Sequence, residues 1–275
     1  MRLSFTKMTG AGNDFVMLDN RTGALSLSKE QIEAVCCRRF GVGADGLILV
    51  ENGGDGADFR MRYHNADGGE AEMCGNGARC FGMYLRHIGA VNGHRETVLF
   101  DTLAGRIEGR YHGDEIAVQL TAPQGFRLRE KVDTKAGGSL EISSVNTGVP
   151  HAVLFVPDAD KVDVRGLGAE LRYHPHYAPK GTNVNFAQVT GPDSIRVRTY
   201  ERGVEDETLA CGTGVAASAI LAHLTQGVAQ PVKVRVEGRS ILTVSFQGGG
   251  EAISHVVLQG PATVVFNGEI ECPSL

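Results

Sequence analysis

The chain has 275 residues, 42% of them hydrophobic and 21% charged, with a net charge of -5. That length accommodates one large domain or two medium ones, each with its own core, in a composition ordinary for a soluble globular protein. The mild charge, without a Lys/Arg run, argues against nucleic-acid or anionic-membrane partners. The start "MRLSFTKMTG" lacks the apolar run of a signal peptide, and "GVAASAILAHL" is too short to span a bilayer, so we expect a cytoplasmic protein.

In chain order, "LSFTKM" reads as a strand. Ser28 and Gln31 form a capping box before Ile32, Val35 and Cys36, which predicts a helix to about Phe40, stopped by Gly41. "GVGADG", Gly41 to Gly46, fits G-x-G-x-x-G. A dinucleotide fingerprint follows a strand and opens a helix, however, and here a helix precedes and the strand "GLILV" follows. "DFRMRYH" alternates Phe59, Met61 and Tyr63 on one face, as a strand does. After Cys74, the positions Ala78, Phe81, Leu85 and Ile88 have helical spacing. Strands are predicted at "TVLFD", "RIEGRYH" and "EIAVQL". The second half gives strands at "HAVLFV", "NVNFAQV" and "SIRVRTY", a helix at "GVAASAILAHLTQ" after Cys211, and strands at "VKVRVEG", "ILTVSFQ", "HVVLQG" and "ATVVFN".

The halves resemble each other. Cys74 and Cys211 stand 137 residues apart, and so do Tyr63 and Tyr200; Thr9 and Thr147 are separated by 138. The repeat predicts two copies of one α/β unit. We place a first domain at 1–122, carrying Cys74, and a second at 123–262, carrying Cys211, with a seam near Thr121 to Phe126. The last strand, about 263–275, is expected to return to the first domain.

None of the six cysteines forms a C-x-x-C pair, and Cys and His do not cluster at metal-ligand spacing, so neither a disulfide framework nor a zinc site is expected. Cys36, Cys37, Cys80 and Cys272 read as buried structural thiols. Cys74 and Cys211 differ from these, because each directly precedes a Gly-x-Gly and a helix. A helix N-terminus stabilises negative charge, lowers a thiol pKa from about 8.5, and offers N–H groups to a carboxylate or an enolate-like oxyanion. Two such thiols facing each other across a cleft can take a proton from one face of a carbon and return one to the other, inverting a stereocentre. Asp45, Asp67 and Glu72 lie in Gly-rich turns and read as solvated or capping carboxylates.

The motifs "GAGNDF", "GVGADG", "NADGGEAEMCGNGARC", "GTNVNF" and "ERGVEDETLACGTG" resemble, in order and over most of the chain, those of the diaminopimelate epimerase family. The resemblance implies a cytoplasmic, cofactor-independent isomerase that interconverts LL- and meso-diaminopimelate in lysine and peptidoglycan-precursor biosynthesis. It also implies a homodimer and an α/β (α+β) fold of two pseudo-symmetric domains, each a curved, mostly antiparallel sheet around a central helix, with the active site in the cleft between them. Carried over by motif, Cys74 and Cys211 are the acid–base pair, and Gly75, Asn76, Gly212 and Thr213 hold the reacting carboxylate. Asn13, Asn65 and Asn183 bind substrate, Glu201 and Arg202 read its far end, and His151 stands as a supporting residue. Two positions depart from the family pattern. Val149 stands where many members have an asparagine, and Gly46 where some have a glutamine. Each loses a hydrogen-bonding group, worth roughly 1–3 kcal/mol at a buried contact. A racemase of another amino acid is the alternative these departures raise. A non-catalytic amino-acid-binding module is a further one.

Overall fold

The structure is a computed structural model and describes residues 1–135 and 138–272. In chain order the elements are β1 (Arg2–Gly10), β2 (Asn13–Asp19), α1 (Lys29–Cys36), β3 (Gly46–Asn52), β4 (Phe59–Asn65), β5 (Glu70–Ala71), α2 (Gly75–His87), β6 (Thr97–Thr102), β7 (Gly105–His112) and β8 (Glu115–Gln119). Then follow β9 (Gln124–Thr134), β10 (Gly138–Asn146), β11 (Pro150–Phe155), α3 (Val164–Arg172), β12 (Asn183–Gly191), β13 (Ser194–Glu201), β14 (Asp206–Thr208), α4 (Gly212–Gln226), β15 (Val232–Arg235), β16 (Ile241–Gln247), β17 (Ser254–Pro261) and β18 (Thr263–Glu271). The chain divides into unit one, Met1–Val118 with Gly260–Leu275, and unit two, Gln119–Gln259. The sequence reading puts these limits at 122/123 and 262/263; the end of its last strand, 273–275, lies outside the described residues.

Unit one is a mixed sheet in the order β18-β1-β2-β3-β4-β6-β7-β8, with β5 also on β4. Neighbours run antiparallel except β2/β3 and β4/β6. Unit two repeats this order as β9-β10-β11-β12-β13-β15-β16-β17, with β14 also on β13, and its parallel pairs are β11/β12 and β13/β15. The parallel pairs fall where helices intervene: α1 and α3 bridge the first, α2 and α4 the second. A parallel pair needs such a crossover. β18, last in the chain, holds in unit one the place that β9 holds in unit two.

Helices cover both faces of each central strand pair. In unit one, Ile32 and Val35 of α1 pack on Val16, Leu18, Leu47 and Leu49. On the opposite face lies α2, where a Cβ on Gly77 would come 3.1 Å from Ile48 Cδ1 and 3.4 Å from Met61 Cε. β2 and β3 are therefore apolar at consecutive positions rather than alternating. In unit two, Val164 and Leu171 of α3 cover Ala152, Leu154, Val184 and Phe186. α4 packs against β10, β11, β12, β13, β15 and β16. It is buried on nearly every side, as a helix apolar all round must be. Burying each Leu or Phe of these layers contributes about 1.5–3 kcal/mol.

Several sequence expectations are corrected. The Ser28 capping box forms, but α1 ends at Cys36 rather than near Phe40. Cys37 turns extended, and the following loop folds back so that the N–H groups of Val42 and Ala44 take the helix-end carbonyls of Val35 and Cys36. Gly41 is required there, since a Cβ would lie 2.1 Å from the Ala34 carbonyl oxygen. Cys37 is half-exposed rather than buried, and backbone N–H groups of Arg39 and Phe40 lower its thiol pKa. Cys36, Cys80 and Cys272 are buried. The reading omitted β2, β5, β9, β10, α3 and β14. β9 is mostly exposed, and Glu130 breaks its alternation of Phe126, Leu128 and Val132; α3, "VRGLGAELR", carries two poor helix formers in its glycines. The tyrosine spacing is off by one in register. Tyr63 pairs with Ile48, on the α2 side, whereas Tyr200 pairs with Val184, on the α3 side. The residue that matches Tyr200 is His64, opposite Leu47.

Candidate active site

Cys74 is the N-cap of α2, with an extended backbone, and its Sγ accepts from the Gly77 N–H at 3.4 Å. Gly75 and Asn76 form the first helical turn and are buried. The Asn76 amide is held in one orientation. Its Oδ1 accepts from Arg79 Nη2 (2.8 Å), and its Nδ2 donates to Asn13 Oδ1 (2.5 Å). Asn13 in turn donates from Nδ2 to Asp45 Oδ2 (2.9 Å). A Cβ on Gly10 would lie 2.8 Å from the Asn76 carbonyl oxygen, so the β1–β2 turn passes this close only as glycine. Asn65, at the end of β4, is exposed and accepts from Tyr63 Oη at 2.7 Å.

The loop before β3 is anchored by ions. The buried Lys7 pairs with Asp14 Oδ2 at 2.8 Å and donates to the Gly43 carbonyl. Arg38 forks onto Asp14 (2.9 and 2.7 Å) and reaches Asp45 Oδ1 at 2.6 Å. Burial raises the Asp14 pKa, but bonds from Arg38 and Lys7 outweigh it and bring the carboxyl down to about 2. "GVGADG" is thus a structural turn whose Asp45, read in the sequence as a solvated or capping carboxylate, fixes Asn13. Asp67 does act as a turn cap, accepting from the Gly69 N–H at 2.9 Å.

Cys211 is the N-cap of α4 and is buried. Its Sγ lies 3.5 Å from Thr213 Oγ1, which is 2.9 Å from His151 Nε2. Asn185 Nδ2 lies 3.2 Å from His151 Nδ1 and donates to the Ala152 carbonyl at 3.0 Å, while Asn185 Oδ1 accepts from Thr199 (2.9 Å). The amide nitrogen is a donor, so His151 Nδ1 accepts and the ring proton sits on Nε2. Burial, then the charge of Arg202, pushes the His151 pKa down to about 3, which keeps the ring neutral. Thr147 clamps the same turn, donating to the Thr213 carbonyl at 2.9 Å. Asn183 ties the start of β11 to the turn after β13, donating to the Pro150 carbonyl and accepting from the Arg202 N–H, both at 2.9 Å. Glu201 Oε2 accepts from Thr208 (2.8 Å), and Arg202 Nη1 donates to the Lys180 carbonyl (3.3 Å).

Within unit one, then, Cys74, Gly75, Asn76 and Asn13 come together, with Asn65 at the end of the neighbouring strand β4. Within unit two, Cys211, Gly212, Thr213 and His151 come together, with Asn183, Glu201 and Arg202 around one turn. The ground beneath the two cysteines differs. Under α2 the cross-strand row is Met17, Ile48 and Tyr63; under α4 it is Val153, Asn185 and Thr199. Sequence reasoning missed Asn185, Thr199, Thr147, Asp45 and Arg79. The period-2 signal in "NVNF" puts Asn185 on the face of Asn183, and Arg79 falls at i+3 from Asn76, so both were within reach of pattern reading. At the two departures from family pattern, Gly46 is closed to any side chain, since a Cβ would meet the His64 carbonyl at 2.5 Å and the Tyr63 ring at 2.6 Å. Val149 is half-buried in the turn into β11 and brings no polar group. Among the described residues no three His, Cys, Asp or Glu side chains group to hold a metal, and no helix is long and apolar enough to cross a membrane.

Two units of one topology, each with a cysteine capping its buried helix, define the fold class. The fold is shared with a PhzF-family phenazine biosynthesis protein of Bacillus anthracis (TM-score 0.76, 17% identity, 98% of this chain and 99% of that one covered). It is shared also with a hydroxyproline epimerase of Agrobacterium vitis (TM-score 0.69, 15% identity, 98% and 92% covered). The sequence relationship is narrower. The model of the diaminopimelate epimerase family matches residues 5–124 and 143–265. Diaminopimelate epimerases of Chlorobaculum tepidum (42% identity, 96% of this chain and 99% of that one) and Aquifex aeolicus (43%, 98% and 98%) align over nearly their whole length. The chain belongs to the diaminopimelate epimerase family and is an isomerase.

Proposed function

We propose that the protein interconverts LL- and meso-diaminopimelate by two-base proton transfer between Cys74 and Cys211, without pyridoxal phosphate or metal. The observation that carries this reading is the matched placement of the two cysteines, each at the N-cap of its unit's buried helix. One sulfur, as thiolate, takes the α-proton; the other, as thiol, gives a proton to the opposite face of the same carbon. The Cα–H bond broken on one face is replaced by one on the other, and thiolate and thiol exchange roles. First-turn N–H groups at Gly75 and Asn76 and at Gly212 and Thr213 hold the α-carboxylate as charge develops on it. Asn13, Asn65 and Asn183, with Glu201 and Arg202, recognise the rest of the substrate, whose far end is a second zwitterion. We read this reaction as a step of lysine and peptidoglycan-precursor synthesis in the cytoplasm, a reading the family relationship supports. It also supports a homodimer, for which the exposed Val265 and Phe266 of β18 offer an apolar surface.

Chiral chromatography after incubation of the metal-free protein with LL-diaminopimelate tests this. Meso product is expected, at a rate above that for any neutral amino acid. Faster racemisation of a neutral amino acid would contradict the substrate assignment.

A further inference from the structure

Arg79 is fully buried and is the largest fully buried side chain among the described residues. Its Nη1 donates to the Gly75 carbonyl at 3.3 Å and its Nη2 to Asn76 Oδ1 at 2.8 Å, but its Nε has no partner. Among the described residues no carboxylate forms an ion pair with it. Burial disfavours its charge, and the titratable groups it feels are Cys80 and Cys74 on its own chain segment and Glu115 on β8. An unpaired buried ion costs several kcal/mol, and an apolar side chain of similar volume would serve packing as well or better. The fold itself does not ask for a cation here. Arg79 is the fifth residue after Cys74, and the fifth after Cys211 is Ala216.

We propose that the Arg79 guanidinium is a built-in counter-charge for an anion seated at the first turn of α2, namely the Cys74 thiolate and then the charge developing on the substrate carboxylate. The inference rests on the reading of Cys74 as an acid–base group. Arg79 acts through Gly75 and Asn76, so it is a positioning residue. Its pull adds to the helix dipole in a water-poor setting, where each charge interaction is strong. The bonds run one way, from Arg79 to Asn76 to Asn13 to Asp45, so the cation also fixes both amides. Cys80 is no rival for the anion, because burial pushes its thiol up to about 12. In unit two the equivalent helix position holds Ala216, so α4 carries no counterpart of Arg79. Arg79 therefore favours the thiolate form of Cys74 in the resting enzyme.

Peptide-resolved iodoacetamide labelling of the full-length protein across pH, read by mass spectrometry, tests this in wild type, Arg79→Met and Arg79→Lys. In Arg79→Met the labelling midpoint of Cys74 should rise by about one unit, a roughly tenfold slower reaction near neutrality, with the Cys211 midpoint unmoved. Arg79→Lys should recover most of the shift. An unmoved Cys74 midpoint in folded Arg79→Met would overturn the proposal, as would equal shifts in the Met and Lys variants. If Arg79→Met does not fold, Arg79→Gln is scored by the same criteria. Epimerisation by the wild type is measured alongside. Activity with an unmoved midpoint defeats the Arg79 inference alone, whereas a wild type without α-proton exchange defeats the reading beneath it.

Discussion

His151 donates from Nε2 to Thr213 Oγ1 across 2.9 Å, and that hydroxyl lies 3.5 Å from Cys211 Sγ. The direction is set two residues deeper, because Asn185 gives its N–H to His151 Nδ1. The threonine oxygen is thus occupied as an acceptor, and its proton is left to point at sulfur. A hydrogen bond to a charged group is worth about 1.5–3 kcal/mol, so Thr213→Val should lower kcat about 10- to 100-fold. Thr213→Ser should keep most of the rate. Steady-state kinetics on the two variants, with circular dichroism as a folding control, separates lost chemistry from lost structure.

His151 also makes stability depend on pH. Its pKa is about 3 in the fold against 6.5 outside it, so the unfolded chain binds the extra proton first. The neutral ring contributes stability that is fully present above about pH 6.5 and is lost as pH falls toward 3. Urea unfolding between pH 7 and 5 should show a falling midpoint in wild type. The fall should be shallower in His151→Gln, which cannot titrate.

A second acid-sensitive element lies in unit one. Asp14 has a pKa of about 2 in the fold against 3.8, and it stays ionised between Lys7 and Arg38. Its contribution is present above about pH 4 and is lost as pH falls through 2. It amounts to about 1–2 kcal/mol once the exposed Arg38 is discounted. Asp14→Asn strands the buried Lys7 and should cost about 3 kcal/mol at pH 7. The same variant should lose the acid limb of the stability profile below pH 4.

Gly46 is a packing requirement before it is a missing ligand. Gly46→Ala puts a Cβ 2.5 Å from the His64 carbonyl and should destabilise by about 1–3 kcal/mol, measured by urea unfolding. Gly46→Gln should unfold at least as readily. It should not tighten substrate binding, because the Tyr63 ring holds the space a longer side chain would need.

The sequence made much of this arrangement readable. Ser28 and Gln31 announced α1, and the Gly-x-Gly after each cysteine announced the starts of α2 and α4, because caps and turns are local chemistry. What stayed hidden depends on partners distant in the chain. Arg79 looks like an ordinary helix residue until the fold buries it completely. Asn185 looks like strand filler until His151 arrives from β11. Asp45 looked like a turn carboxylate because Asn13 lies 32 residues away. Tyr63 and Tyr200 share a spacing with the cysteines, yet a single step of register turns them to opposite faces, which spacing alone cannot reveal.

The central claim is that two cysteines move one proton off and another on. Incubation with LL-diaminopimelate in heavy water, followed by proton NMR and chiral separation, tests it most directly, in wild type and in Cys74→Ala and Cys211→Ala. The account predicts meso product carrying deuterium at the inverted α-carbon in wild type, and no meso product from either variant. Full epimerisation by either single-cysteine variant, or meso product that retains the original hydrogen, would contradict it.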